Sequence, residues 1–175
     1  MNNLILCGFM GCGKTTVGRI LASRLGFRHI DMDHWIEQRE GTSVPEIFQQ
    51  RGEPYFRRLE EKAAKELSKF SGCVISTGGG AVLNPEIVRV FRSGGMIIHI
   101  DVPLKVIKYR LTGNTGRPLL DGPAGDDHLL RLYESRLPAY RRAADLTIHN
   151  PNNLSAERVA HKIILLLKRK RLFPC

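Results

Sequence analysis

Short apolar runs alternate with segments whose apolar positions recur at helical spacing. Leu4-Ile5-Leu6-Cys7 is a continuous apolar run ending at Gly8, the form taken by a strand buried on both faces. Val17, Ile20, Leu21 and Leu25 then share one face of a helix over Thr15–Leu25, closed by Gly26. Phe27–Ile30 reads as a second strand, ending at Asp31-Met32-Asp33. Two helices follow without an intervening strand. Ser43-Val44-Pro45-Glu46 has the form of a capping box, and a helix from near Pro54 carries Phe56, Leu59, Ala63 and Leu67 on one face. Cys73–Ser76 is a third strand, ending in Thr77-Gly78-Gly79-Gly80, and Asn84-Pro85 opens a helix. Met96–Ile100 is a fourth strand, and Pro103–Leu111 is helical. Residues 112–127, rich in Gly, Pro, Asn and Asp, read as a mobile loop. Leu129–Tyr140 returns to helix, Ala144–Ile148 is a fifth strand, and a last helix is capped near Ser155. This alternation predicts an α/β fold with a mainly parallel sheet. Several polar or Gly-rich groups fall just past the strands' C-terminal ends, where open α/β sheets bind ligands.

Size and composition narrow the class. A chain of 175 residues suits one domain with a core of its own, and a 42% hydrophobic, 25% charged composition without repeats is that of a soluble globular protein. The longest apolar run, Ile163–Leu167, is too short to span a membrane, and the N-terminus carries no leader pattern, so a cytoplasmic location is expected. Cys7, Cys12, Cys73 and Cys175 lack CxxC spacing, which argues against a zinc site or disulfide framework. Cys7 and Cys73 read as core residues, and Cys12 as part of a Gly-rich loop. The formal charge of +10 fits either nucleic acid or small polyanionic ligands. Lys14, Arg57, Arg58, Arg110, Arg117 and Arg136 are scattered, without interleaved aromatics. The only basic run, Lys168–Arg171, reads as a solvated helix end. Charge therefore favours anionic ligands without naming one.

The first chemical motif does more. Gly8-Phe9-Met10-Gly11-Cys12-Gly13-Lys14-Thr15 matches GxxxxGK[ST], placed between a buried-type strand and an amphipathic helix as the mechanism requires. Glycines let backbone N–H groups converge on an anion at a helix N-terminus, Lys14 reaches β- and γ-phosphates, and Thr15 offers a hydroxyl to Mg²⁺. GTPases and motor ATPases share this loop. The chain has no NKxD motif and no hydrophobic strand ending in a Walker-B aspartate, which leaves small-acceptor kinases as the favoured class.

The later motifs each admit two readings. Asp31 and Asp33 could serve a water-held magnesium and a substrate hydroxyl, or Asp33 could simply cap a helix. Arg57 and Glu60, at i and i+3, could be a held guanidinium or a surface ion pair. Gly78-Gly79-Gly80 allows close approach of a ligand or makes a tight turn. Arg117, in the loop, could swing onto a transferring phosphoryl group or stay solvated. Arg136, on a helix, carries the same ambiguity.

Together these motifs resemble the shikimate kinase family over nearly the whole chain. They run in order: Gly8–Thr15, Asp31-x-Asp33, Phe56-Arg57-x-x-Glu60, Gly78–Gly80, Arg117-Pro118-Leu119-Leu120 and Arg136-x-x-x-Tyr140. The resemblance implies a three-layer α/β/α P-loop kinase fold with a five-stranded parallel sheet, an acceptor-binding helical region over 32–70 and a lid over 112–127. It implies transfer of the γ-phosphate of ATP to the 3-hydroxyl of shikimate with Mg²⁺, by a monomer that engages neither nucleic acid nor membrane. Lys14, Asp33 and Arg117 would be catalytic. Gly11, Cys12, Gly13, Lys14, Thr15, Thr16, Arg110, Arg117 and Asn153 would bind ATP. Asp33, Arg57, Gly78, Gly79, Gly80 and Arg136 would bind shikimate, with the two arginines on its carboxylate. Thr15, and Asp31 through water, would hold the metal. The 150–153 loop departs from the family in lacking the basic residue that some members place there. The rival readings are a gluconate or nucleoside monophosphate kinase, which would share the P-loop and lid, and a non-enzymatic nucleotide- or nucleic-acid-binding module.

Overall fold

A computed structural model describes residues 3–112 and 123–169. Five strands, β1 (Asn3–Cys7), β2 (Arg28–Asp31), β3 (Cys73–Ser76), β4 (Gly95–Asp101) and β5 (Leu146–His149), form one parallel sheet in the order β2-β3-β1-β4-β5. β1 and β3 are buried at every position, which is why they are apolar throughout save for Asn3 and Ser76 at their ends. The edge strands β2 and β5 each bury a single residue, Ile30 and Ile148, and their boundaries sit a residue or two later than the apolar pattern suggests.

The chain leaves β1 for β2 and β3 on one side and reaches β4 and β5 on the other. The end of β1 is therefore a topological switch point, with the ends of β2 and β3 beside it. α1 (Lys14–Leu25) packs on α7 (Ala156–Arg169) and against β1, β2 and β3, while α4 (Pro85–Gly94) and α6 (Pro123–Ala143) lie against β4. α5 (Leu104–Thr112) follows β4.

α2 (Met32–Glu40) and α3 (Val44–Leu67) form the helical region between β2 and β3 and pack on each other. Ser43 and Glu46 make the expected reciprocal capping box at the start of α3. The expected second helix is the continuation of α3 beyond a break. Gly52, at φ 76° and ψ 170°, interrupts the helical backbone, and Pro54 falls in the first turn beyond it. Of the stretch 112–127 expected as a loop, Thr112 belongs to α5 and residues 123–127 belong to α6. Proline opens a helix without loss, since the N–H it lacks would have no partner in the first turn. Residues 113–122, Arg117 among them, lie outside the described residues.

One buried polar side chain ties the N-terminal end of the sheet together. Asn3, 1% exposed, donates from Nδ2 to the Phe70 carbonyl at 2.6 Å and accepts at Oδ1 from the Cys73 N–H at 3.0 Å. Asn3→Ala leaves both backbone groups unsatisfied. Urea unfolding should show a loss of about 1–3 kcal/mol, the cost of orphaning buried polar groups. A loss under about 0.5 kcal/mol would mean that water replaces the amide without penalty.

Candidate functional site

The loop after β1 turns back on itself through glycines with positive φ: Gly8 at 145°, Gly11 at 74° and Gly13 at 97°. A Cβ on Gly8 would also lie 2.8 Å from the Ile100 carbonyl oxygen, so this position excludes a side chain twice over. Cys12 is buried within the loop. Lys14 Nζ lies across the mouth of the loop, donating to the carbonyls of Gly8 at 2.9 Å and Phe9 at 3.2 Å. A lysine held this way is a cation beside the N-terminus of α1, suited to take phosphate oxygens in place of carbonyls.

Thr15 Oγ1 donates to Asp31 Oδ2 at 2.7 Å, which links the phosphate loop to the end of β2. The other oxygen of Asp31, Oδ1, accepts the N–H groups of Asp33 at 3.1 Å and His34 at 3.5 Å and so caps α2. Capping therefore belongs to Asp31 and not, as spacing allowed, to Asp33. Asp33 turns inward instead. Its Oδ1 is buried without a hydrogen-bond partner among the described residues. Burial first, and the Asp31 charge second, push its carboxyl up to about 6.

Asp33 shares its surroundings with Glu60. A Cβ on Gly78 would lie 2.6 Å from Asp33 Oδ1 and 2.9 Å from Glu60 Oε1, so the two carboxylates flank the glycine turn after β3. Glu60 is only 1% exposed in its side chain, and its Oε1 also lacks a partner among the described residues. Burial raises its pKa, opposed by Arg57. Arg57 donates from Nη1 to Glu60 Oε2 at 2.6 Å, so this is a largely buried pair and not the surface pair that i, i+3 spacing also allowed. A Cβ at position 80 would overlap the Arg57 guanidinium, so a side chain there would displace it. Arg136 reaches Gly79 from α6, with Nη1 3.5 Å from its carbonyl oxygen, and Tyr140 donates its hydroxyl to the same carbonyl. Tyr140 in turn stacks on buried His99 of β4, with centroids 5.3 Å apart.

On the other side of the loop a cavity of about 340 Å³ opens between α1, α5 and the start of α7, lined by Gly13, Thr16, Arg110, Asn153 and Val159. Arg110 donates from Nη1 to the carbonyls of Gly11 at 3.2 Å and Cys12 at 3.1 Å, and from Nε to Asn153 Oδ1 at 2.9 Å. Asn150 does a different job from Asn153. It is 1% exposed and closes the loop on itself, accepting from the Leu154 N–H at 2.7 Å. The structure thus joins every expected site residue that it describes into two adjoining sets about Lys14, Thr15 and Asp31. Sequence reasoning missed Glu53, which accepts from Arg57 one turn before it in α3, and His99 beneath Tyr140. The i, i+4 spacing of Glu53 and Arg57 was the available signal for the first; an apolar strand gives none for the second.

A family model for shikimate kinase matches residues 10–168. A shikimate kinase of Caldanaerobacter subterraneus subsp. tengcongensis is 42% identical over 164 residues, covering 94% of this chain and 95% of its own. Among solved structures, shikimate kinase from Acinetobacter baumannii in complex with shikimate superposes with a TM-score of 0.90 at 35% identity, covering 99% of this chain and 96% of its own. Shikimate kinase from Aquifex aeolicus gives 0.84 at 38%, covering 97% and 98%.

The buried, unpartnered Asp33 carboxylate carries a stability signature. Its folded pKa of about 6 stands above the ordinary 3.8, so the native state holds the proton more tightly than the unfolded chain does. The charge therefore destabilises the fold, fully above pH 6 and fading as pH falls toward 4. Asp33→Asn should stabilise the unliganded protein by up to about 3 kcal/mol at pH 8 and far less near pH 4, read from urea midpoints at each pH. A gain independent of pH, or a loss at pH 8, would contradict this.

Proposed function

The chain belongs to the shikimate kinase family, and from that premise we propose how its residues move the γ-phosphoryl group of ATP onto the 3-hydroxyl of shikimate. The observation that carries this division of labour is the pairing of an anion loop with a separate, buried acceptor cluster. Asp33, Glu60, Arg57 and Arg136 gather around Gly78–Gly80, beside Lys14. Two buried carboxylate oxygens without partners call for hydroxyl donors, and two guanidinium groups call for a carboxylate. Shikimate carries both kinds of group. Gluconate does too, but family membership separates the two readings.

In this reading Gly11, Cys12, Gly13, Lys14, Thr15 and Thr16 hold the phosphates, while Arg110 and Asn153 border the base. Arg57 and Arg136 clamp the shikimate carboxylate, and Gly78, Gly79 and Gly80 bring the backbone close to the ring. Asp33 accepts a ring hydroxyl and takes its proton as the bond to phosphorus forms. Phosphoryl transfer is loose, so positioning and charge neutralisation contribute more than the base. Lys14 neutralises charge on the transferred group, and Arg117, from the stretch between α5 and α6, is assigned the same task.

Mg²⁺ fits the donor set. Thr15 and Asp31 supply hard oxygen donors 2.7 Å apart, and the described residues hold no cluster of three or more His, Cys, Asp or Glu able to cage a metal. A metal that keeps its waters and takes phosphate oxygens suits such a sparse site, with Asp31 acting through water. When bound it neutralises phosphate charge and aligns the nucleotide. No described helix is long and apolar enough to cross a membrane. We read the protein as a cytoplasmic monomer working on two small substrates.

Steady-state kinetics tests the two halves separately. Arg57→Lys keeps the charge and loses the planar fork, so KM for shikimate should rise on the order of tenfold or more while KM for ATP holds. Lys14→Ala should instead lower kcat on the order of 10²-fold. The free enzyme's kcat/KM for shikimate should fall on the acid side of about pH 6, where Asp33 protonates. Equal effects of both variants on both substrates, or a shikimate profile flat through pH 6, would sink the assignment.

A further inference from the structure

The guanidinium assigned to the shikimate carboxylate is already engaged by a carboxylate of the protein. Glu53 Oε1 accepts from Arg57 Nε at 3.0 Å and from Nη2 at 2.6 Å. These two donors form the side-on edge of the fork and converge on one Glu53 oxygen, whereas a carboxylate that brought both oxygens to this edge would make two parallel bonds. Glu60 meanwhile takes Nη1 from within the fold and is almost fully buried, so the orientation of Arg57 is set without Glu53. Glu53 contrasts with Glu60 in every respect that matters for release. Its side chain is 59% exposed, and it follows the backbone break at Gly52, at the start of the helical segment that carries Arg57. Freed from Arg57, its charge remains favourable there, next to the positive end of the helix dipole.

We propose that Glu53 is an internal competitor for the acceptor site, a tethered carboxylate that occupies the Nε/Nη2 edge of Arg57 until the carboxylate of the substrate displaces it. This rests on Arg57 as the substrate clamp. In the resting enzyme Glu53 keeps the guanidinium from recruiting other anions, and it sets shikimate affinity below what the clamp alone would give. An exposed ion pair is a weak competitor, so the exchange costs little and the site stays accessible. Glu53 is accordingly a positioning residue with an effect on substrate binding alone. It touches neither the nucleotide loop nor the reacting hydroxyl.

Glu53→Gln tests this through a change of unusual sign. KM and the calorimetric dissociation constant for shikimate should both fall about two- to fivefold, the range an exposed ion pair spans, with kcat and the KM for ATP unchanged. Glu61→Gln on the same helix also removes one negative charge, from a residue that pairs with Lys65, and should leave shikimate KM as it was. If Glu53→Gln raises KM, Glu53 helps Arg57 bind and the proposal is overturned. An equal fall in both variants would overturn it too, since the cause would be net charge and not release of Arg57. Arg57→Lys separates this from the underlying assignment. If it leaves shikimate KM unchanged, the clamp itself is wrong. If it raises KM while Glu53→Gln does not lower it, only the competition fails.

Discussion

The hydrogen bond from Thr15 to Asp31 joins the loop after β1 to the end of β2, two strands that the sheet separates by β3, and most of the site's geometry is set from that joint. Thr15 is fixed in the first turn of α1 by the glycine loop, and Asp31 is fixed at the end of β2. With one oxygen Asp31 holds the threonine, and with the other it caps α2. The cap sets the first turn of that helix, which turns Asp33 toward the glycine turn after β3. One carboxylate thereby registers the glycine loop against the cluster of Asp33, Glu60 and Arg57. Parallel strands make this possible, because their C-terminal ends meet along one edge of the sheet.

The acceptor side runs against the ordinary rules of stability. Asp33 and Glu60 each keep a buried oxygen without a partner among the described residues, and both carboxyls are raised by burial. Such groups cost free energy in the unliganded fold and recover it when a ligand supplies donors. Arg57 offsets part of the Glu60 charge from the same helix, and the glycines at 78 and 80 leave the space in which these side chains lie. The well-packed sheet beside it offsets this cost. β1 and β3 are fully buried, and Asn3 anchors their N-terminal ends.

Much of this was legible in the residues themselves. Buried central strands write themselves as apolar runs, and the loop Gly8–Thr15 declares its chemistry by spacing that few other structures need. The less legible features are those where two residues of one type compete for one role. Spacing could not say whether Asp31 or Asp33 caps α2; only the backbone direction after β2 decides it. Nor could it separate a buried Arg57–Glu60 pair from a surface one, since burial comes from packing against the Gly78–Gly80 turn, far away in sequence. The start of α6 was hidden by composition, as Gly and Pro near 122–124 suggest a loop although proline is well placed to begin a helix. Contacts of Tyr140 with Gly79 and His99 are long-range and leave no local signal.

The central claim is that the acceptor is read by groups outside the phosphate loop, with Asp33 as the hydroxyl acceptor. A crystal structure of this protein with shikimate and ADP tests it most directly. A ring hydroxyl should lie within about 2.6–3.2 Å of Asp33 Oδ1, with the carboxylate on Arg57 and Arg136. A shikimate bound elsewhere, with Asp33 Oδ1 still lacking a donor, would contradict the account.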